Sequence, residues 1–245
     1  ENESHGIGGP ISVSDQRVKL KLLDTFIDAA EEKGIPRSSD FNTGKNEGCG
    51  YFHVTEKNGL RCSTAVGYLN PIKKRSNLKI EIKAHTKKII FNGLKAVGVK
   101  YWKNNQLKTV FCNKEVILSA GSIGSPHILQ TSGIGPGDLL KSKEINVIKD
   151  FNAIGKNLMD HLMLRPVYKV KNIYTLNKLY HSYFEKMVAG LNFIFFRRGP
   201  LTMGASQLCG FTKSDDNLAT PNLQYHVAPM STDKLGGAAL HNFPA

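Results

Sequence analysis

The residues best suited to chemistry lie in the stretch Glu115-Val116-Ile117-Leu118-Ser119-Ala120-Gly121-Ser122-Ile123-Gly124-Ser125-Pro126-His127-Ile128-Leu129, which runs on to Ser132-Gly133-Ile134-Gly135. The apolar run at 116–118 predicts a strand, the small residues at 119–122 a tight turn, and Ile128 with Leu129 a short helix that Gly133 ends. Such a turn aims backbone N–H groups and the positive end of a helix dipole outward, and Ala120 and Gly121 lack the bulk that would hold a phosphate away. The chemistry this suits is binding the phosphates of a dinucleotide. Strand, small-residue turn and helix also follow one another in α/β folds that bind nothing there, so the pattern alone leaves both readings open.

Two other groups invite a chemical reading. Asp160-His161 sets a carboxylate beside an imidazole, as in general-base chemistry. Adjacent residues point in different directions on a helix or strand, so the pair is read as structural hydrogen bonding. The cysteines Cys49, Cys62, Cys112 and Cys209 show no paired short spacing of the zinc or redox kind. They are expected to be reduced and structural, with no metal site.

The elements that would position these residues can be read in order. A short strand is expected at 11–13, then a helix capped by Ser14 with Val18, Leu22, Phe26 and Ala30 on one face, stopped by Gly34 before Pro36. Residues 38–50 are rich in Asp, Asn, Gly and Ser, which is loop chemistry and a candidate cover for an active site. A second helix follows Ser63 and runs to Pro71. Short β segments are predicted at 78–82, 87–91, 96–102 and 109–112, with a strong hairpin turn at Asn92-Gly93 and a weaker one at Asn104-Asn105. A short helix from Pro136 through Leu140 and a strand at Val147-Ile148 come next. From Leu162 onward the character shifts. A strand is expected at 166–170, a helix over 176–196 with Tyr180, Phe184, Met187 and Leu191 near one face as core, and strands at 209–211 and 223–227.

Composition narrows the function class. The 245 residues can bury a real core, and 40% hydrophobic with 22% charged residues is ordinary for a globular protein. The formal charge of +13 could mark a nucleic-acid partner, but 26 of the 33 basic residues are scattered lysines. Groups such as Lys73-Lys74-Arg75 and Lys87-Lys88 sit beside turns, so they are read as solvated surface and no nucleic acid is expected. Residues 1–10 are polar and glycine-bearing rather than basic then apolar, and the longest apolar stretch, 191–196, is too short to span a bilayer. The expectation is a cytoplasmic protein, with peripheral association with a membrane left open. The chain does not begin with Met, so a targeting signal upstream is also left open.

The residues above form a larger pattern. Gly121-Ser122, Ser125-Pro126, Ile128-Leu129 and Ser132-Gly133-Ile134-Gly135 together resemble the second signature of the glucose-methanol-choline (GMC) flavin-dependent oxidoreductases, with every fixed position filled. Further similar stretches are His5-Gly6 with Gly9-Pro10, Asp40-Phe41-Asn42, Gly59-Leu60-Arg61-Cys62-Ser63-Thr64-Ala65, Gly155 with Asn157-Leu158 and Asp160-His161, Gly199-Pro200-Leu201, and Pro221-Asn222-Leu223-Gln224-Tyr225-His226. The likeness spans nearly the whole chain and is greatest to the choline dehydrogenase-like and alcohol dehydrogenase branch.

This resemblance implies a mixed α/β (α+β) fold: part of an FAD-binding Rossmann-like domain with a β-meander, plus part of a substrate-binding domain with a mostly antiparallel sheet and helices. It implies a cap or loop segment over 1–48, an FAD-binding segment over 49–161 and a substrate-binding segment over 162–245. The cofactor is FAD, with Ala120, Gly121, Ser122 and Ser125 at its phosphates. Backbone near Thr86, where relatives usually carry Val, would hold the adenine; by itself Thr86 reads equally as an ordinary β residue. Gln207 stands where choline-type relatives often carry Glu, so it is a candidate substrate-binding residue, or merely polar surface. A neutral amide serves a cationic substrate less well than a carboxylate. Asn152-Ala153 replaces the usual Pro-Gly, and Ala disfavours φ > 0, so the local turn is expected to differ.

No Gly-x-Gly-x-x-Gly occurs, and the family's C-terminal catalytic segment is not among residues 1–245. The reading is therefore an internal fragment of an FAD-dependent dehydrogenase that oxidises a primary alcohol to an aldehyde, inactive alone, with no catalytic residue of its own. The partner is a small-molecule alcohol, and the electron acceptor is left open. Two alternatives stand beside it: a non-redox, flavin-containing lyase on the same scaffold, and a basic anion-binding module without catalysis.

Overall fold

The computed structural model describes residues 4–204, 206–234 and 239–245. Contacts divide the chain into two compact units, one made of Glu1–Leu78 and Arg165–Ala245, the other of Lys79–Leu164. Helices and mainly antiparallel sheets are mixed, as the sequence implies.

The first unit begins with an irregular segment, not a strand at 11–13. Ser14 does not cap a helix, because its backbone is already paired with Val54 by two 2.9 Å hydrogen bonds. Helix α1 therefore starts only at Lys21 and runs Lys21–Glu32. Its buried face is Leu23, Ile27 and Ala30 rather than Leu22 and Phe26. A strict four-residue repeat drifts by about 40° per step on a helix of 3.6 residues per turn, whereas the i, i+4, i+7 row stays on one side. The helix closes with Gly34 at φ 84°; Ile35 N–H reaches Ala30 O and Gly34 N–H reaches Glu31 O, both at 2.9 Å, satisfying two orphan carbonyls. Strand β1 (Gly48–Tyr51) follows, then a small hairpin of β2 (Glu56–Lys57) and β3 (Leu60–Arg61) around Asn58-Gly59. A wide helical turn at Ala65–Leu69 leads into α2 (Asn70–Ile72), so the helix expected after Ser63 forms and tolerates Pro71 in its first turn.

The second unit opens with the meander: β4 (His85–Asn92), β5 (Lys95–Lys103) and β6 (Gln106–Phe111), antiparallel in that order. The turn at Asn104-Asn105 has φ of 51° and 58°, the positive pair that a two-residue hairpin of matching twist requires. Residues 78–82 form no strand. Helix α3 (Gly121–Thr131) packs its last turn on β4: Ile89 N–H donates to Ser132 Oγ at 2.8 Å, and Thr131 Oγ1 donates to Lys87 O at 3.3 Å beside a bulge. Next come β7 (Ile134–Gly135), α4 (Gly137–Ser142) and β8 (Lys149–Asp150), with β7 parallel to β8. The second strand lies two residues beyond the expected Val147-Ile148. Ala153 takes no positive φ in the turn that replaces Pro-Gly.

Back in the first unit, residues 166–170 form no strand among the described residues, though Val170 N–H donates to Pro244 O at 3.0 Å. The helix expected over 176–196 is two helices, α5 (Leu176–His181) and α6 (Tyr183–Phe196). Ser182 breaks them because its Oγ accepts Glu185 N–H at 3.2 Å, a Ser-x-x-Glu capping arrangement that starts a new helix. Strands β9 (Leu208–Thr212) and β10 (Leu223–Val227) complete a sheet in the order β1-β9-β10, and α1 covers it with Leu23, Ile27 and Ala30 against Cys49 and Leu208. The face expected in the core is not buried: Tyr180 of α5 and Phe184, Met187 and Leu191 of α6 are all substantially exposed.

Two side-chain devices hold this unit where apolar packing is thin. Asn177, 1% exposed, donates to Ser231 O, Ser231 Oγ and His241 O and accepts Ser231 N–H, all within 3.2 Å. Cys49 and Cys209 are free and buried on neighbouring strands; burial, then the nearby Cys49, pushes the Cys209 thiol up to about 12. Asn177→Ala should lower unfolding stability by ~2–4 kcal/mol in a denaturant titration, because it orphans several buried backbone groups. A thiolate-directed reagent at pH ~8 should leave Cys209 unlabelled until the protein is unfolded, as peptide mapping would show.

Candidate cofactor-binding site

The corner between residues 119 and 125 is built by local bonds. Residues 116–118 belong to no strand among the described residues, so the strand predicted there is not formed. β structure needs a neighbouring strand, and an apolar run cannot supply one for itself. The turn that follows is nevertheless well defined. Ala120 stands at the N-cap of α3 with φ −91° and ψ 12°, and its N–H donates to Ser125 Oγ at 3.0 Å. No side chain caps the helix, so the first amides of α3 face outward without an intrahelical acceptor.

Gly121 makes the corner open. Its φ is 82°, where a side chain costs on the order of 1–2 kcal/mol. A Cβ placed there would meet no atom within 4 Å, so the space beside it is empty. Ala120, Gly121 and Ser122 are all exposed. Small residues, outward amides and a helix dipole together fit an anionic group such as a pyrophosphate. Pro126 lies inside the helix and, having no amide, leaves Ser122 O without its helical donor.

Thr86 belongs to the same unit but not to the corner. It pairs with Tyr101 on β5, next to the bulge where β4 receives the last turn of α3. β4 meets α3 at its last turn, the end opposite Gly121.

Gln207 lies in the other unit and is not on the surface: it is fully buried. Its Nε2 donates to Val18 O at 3.1 Å, and its backbone O accepts Phe52 N–H at 3.0 Å and the Gln16 carboxamide. Among the described residues the buried Oε1 atoms of Gln207 and of Gln16 have no hydrogen-bond partner. Gln16 carried no signal in the sequence. Asp160 and His161 are almost fully exposed; the carboxylate accepts the His161 amide at 2.8 Å and lies 3.8 Å from the ring, a local contact with no acid–base geometry.

Residues 3–163 match the family described as GMC oxidoreductase, so the chain belongs to that family. It is 39% identical over its whole length to the oxygen-dependent choline dehydrogenase of Pectobacterium carotovorum, and 39% identical over 99% of its length to that of Vibrio vulnificus. It spans 44% of each of these relatives, less than half their length. Among solved structures it is similar to an FAD-dependent oxidoreductase from Chaetomium thermophilum, with a TM-score of 0.75 and 25% identity over 84% of this chain and 37% of that one. The formate oxidase of Aspergillus oryzae gives 0.72 and 28%, over 84% and 36%. The family is flavin-dependent, and both solved relatives are FAD proteins.

Within the corner, Ser125→Ala removes the acceptor of the Ala120 amide. It should destabilise the helix start by ~0.5–1.5 kcal/mol, read as a lower midpoint in thermal or denaturant unfolding and faster amide exchange at residues 119–122.

Proposed function

We propose that the chain is part of an FAD-dependent dehydrogenase that oxidises a primary alcohol to its aldehyde, and that its own share of the work is to hold the dinucleotide. One observation carries this: an exposed helix start in a GMC chain, with Gly121 at φ 82° and nothing within 4 Å of where a side chain would project. When bound, FAD supplies the acceptor for the hydride that leaves the α-carbon of the alcohol. The amides of Gly121 and Ser122 would face phosphate oxygens, and the α3 dipole favours negative charge there. Ala120 presents only a methyl group, so it does not stand in the way. Ser125 acts one step back: its hydroxyl holds the Ala120 amide and so fixes the turn. Backbone near Thr86 would serve the adenine end.

Gln207 is kept on the substrate side by the resemblance alone; its fully buried side chain would act from behind the pocket wall through the Val18 carbonyl it holds. A neutral amide attracts a full cation less than a carboxylate does, which favours an uncharged alcohol over a quaternary ammonium alcohol. The proton acceptor is assigned outside these 245 residues. Peripheral contact with a membrane surface belongs to the same proposal: α6 exposes Tyr183, Phe184, Phe195 and Phe196 beside Lys186, Arg197 and Arg198. Among the described residues no helix is long and apolar enough to cross a membrane.

The test uses protein expressed from the complete reading frame. Anaerobic addition of a primary alcohol should bleach its oxidised-flavin absorbance, and Gly121→Asp should weaken FAD retention tenfold or more, ~1.4 kcal/mol. A yellow protein indifferent to alcohols would support the non-redox lyase instead. A colourless protein that FAD does not reconstitute would overturn the dinucleotide assignment itself.

A further inference from the structure

We propose that Asn92 is a site of spontaneous covalent modification: its carboxamide condenses with the amide of Gly93 to a succinimide, which water opens to an aspartyl or isoaspartyl residue, while Asn58, in the same three-residue sequence, is protected by the fold. Asn-Gly occurs twice in the chain, at 58–59 and 92–93, and Leu follows both times. Every other asparagine precedes a residue that carries a side chain. The nucleophile in this reaction is the backbone nitrogen of the following residue, and glycine leaves that nitrogen uncrowded and its peptide unit able to turn. Local sequence therefore treats the two sites alike, and a difference between them comes from the fold.

The step balances without a cofactor. Water or hydroxide takes the proton of Gly93 N–H, and the nitrogen attacks Asn92 Cγ. The N–Cγ bond forms, the Cγ–Nδ2 bond breaks, and Nδ2 leaves as ammonia with a proton returned from solvent. Water then adds to one of the two ring carbonyls. Opening at Cγ gives an ordinary aspartyl residue, and opening at the main-chain carbonyl carbon gives an isoaspartyl residue whose backbone runs through the side chain. Nothing is oxidised or reduced; a water is consumed and an ammonia released.

At the tip of the β4–β5 hairpin neither reacting group is held. Asn92 pairs with Lys95 as the last rung of the ladder, and Gly93 begins the turn with φ 58°. Both residues are exposed. Among the described residues the Asn92 side chain has no hydrogen-bond partner and Gly93 N–H has no acceptor, and a Cβ on Gly93 would meet no atom within 4 Å. The register slips between Ile90 and Phe91, so a bulge separates the two end rungs from the rest of the ladder. Ring closure requires Asn92 to leave its extended conformation, and opening of the last rung is enough to allow it.

At 58–59 the same groups are restrained. Gly59 N–H donates to Glu56 Oε1 at 2.8 Å, and Glu56 is buried and engaged by Arg17. Gly59 is itself buried with φ 74°, and a Cβ there would come within 2.6 Å of Arg197 O, so its peptide has no room to turn. A proton donated to a buried carboxylate is hard to remove, since the amide anion left behind would face negative charge. Attack at Asn58 therefore requires the β2–β3 turn to open away from Glu56 and Arg197, whereas attack at Asn92 requires only the fraying of an end rung. The carboxylate formed at 92 would lie across the ladder from Lys95, a pairing of opposite charges compatible with the hairpin.

The experiment follows both sites in one sample of protein from the complete reading frame, incubated in mildly alkaline buffer and digested at intervals for mass spectrometry. Each site is read as the fraction of its peptide whose asparagine has become aspartate or isoaspartate. In the folded protein conversion at Asn92 should outrun that at Asn58 by roughly tenfold or more. In denaturant the two rates should come within about threefold of each other, because the three reacting residues are identical. Asn92→Gln, a change at an exposed tip that lengthens the side chain and disfavours five-membered closure, should abolish the faster signal. Equal rates in the folded protein, faster loss of Asn58, or a tenfold difference that persists in denaturant would each overturn the assignment.

Discussion

The constraint on which the rest depends is how little apolar surface these residues cover by themselves. The chain exposes 18060 Å², whereas two compact bodies with the masses of the two units would expose about 13,000 Å² between them. The excess is several times the ~800 Å² that one partner buries in a protein–protein interface of standard size. Large exposed apolar side chains lie on α6, in the stretch around Met159, Leu162 and Leu164, and at Ile117 beside the corner at residues 119–122. Contiguous exposed apolar patches mark faces that pack against something else. The chain spans less than half the length of the curated relatives it matches.

Where apolar burial is scarce, position is set by polar groups and by local backbone geometry. The core of the first unit is one helix on one small sheet, with Leu23 and Leu208 fully enclosed. Around it Asn177 ties residues 231 and 241 to the start of α5, and Gln16 ties the stretch before α1 to Phe52 and Gln207. A buried carboxamide can fix geometry in this way because its donors and acceptor are directional. The same property makes an unmatched atom costly, on the order of 1–3 kcal/mol; among the described residues the buried Oε1 atoms of Gln16 and Gln207 have no hydrogen-bond partner.

How much of this was legible in the sequence depended on the range of the interaction responsible. The meander was legible because Asn-Gly and Asn-Asn turns and β-branched alternation act within a few residues, and β4, β5 and β6 lie close to where they were expected. The existence of α1 was legible, but its buried face was not, since two helical rows differing by one residue are both apolar. The break at Ser182 is written as Ser-x-x-Glu, yet it was masked by the long apolar pattern running through it. The run at 116–118 shows the opposite failure: its residue types favour a strand, but a ladder requires a partner. Contacts such as His5 with Asp40, 35 residues apart, or Gln16 with Gln207, 191 apart, leave no periodic trace at all.

The corner of α3 keeps its shape even though the run before it is unpaired, and the reason is local. Ser125 Oγ takes the Ala120 amide within a single turn, so the direction in which the chain enters the helix is fixed by a bond five residues long rather than by a sheet. Because that amide is spent, the donors left for an anion begin at Gly121, the residue whose conformation excludes most side chains. Pro126 stiffens the next turn and cannot donate to Ser122 O, so the first turn of α3 is ordered with few bonds of its own to break. A phosphate arriving there would replace water on amides already pointing outward, with little backbone to reorganise. That pre-organisation, more than the net charge of the chain, is what would suit a stretch of small residues to holding an anion.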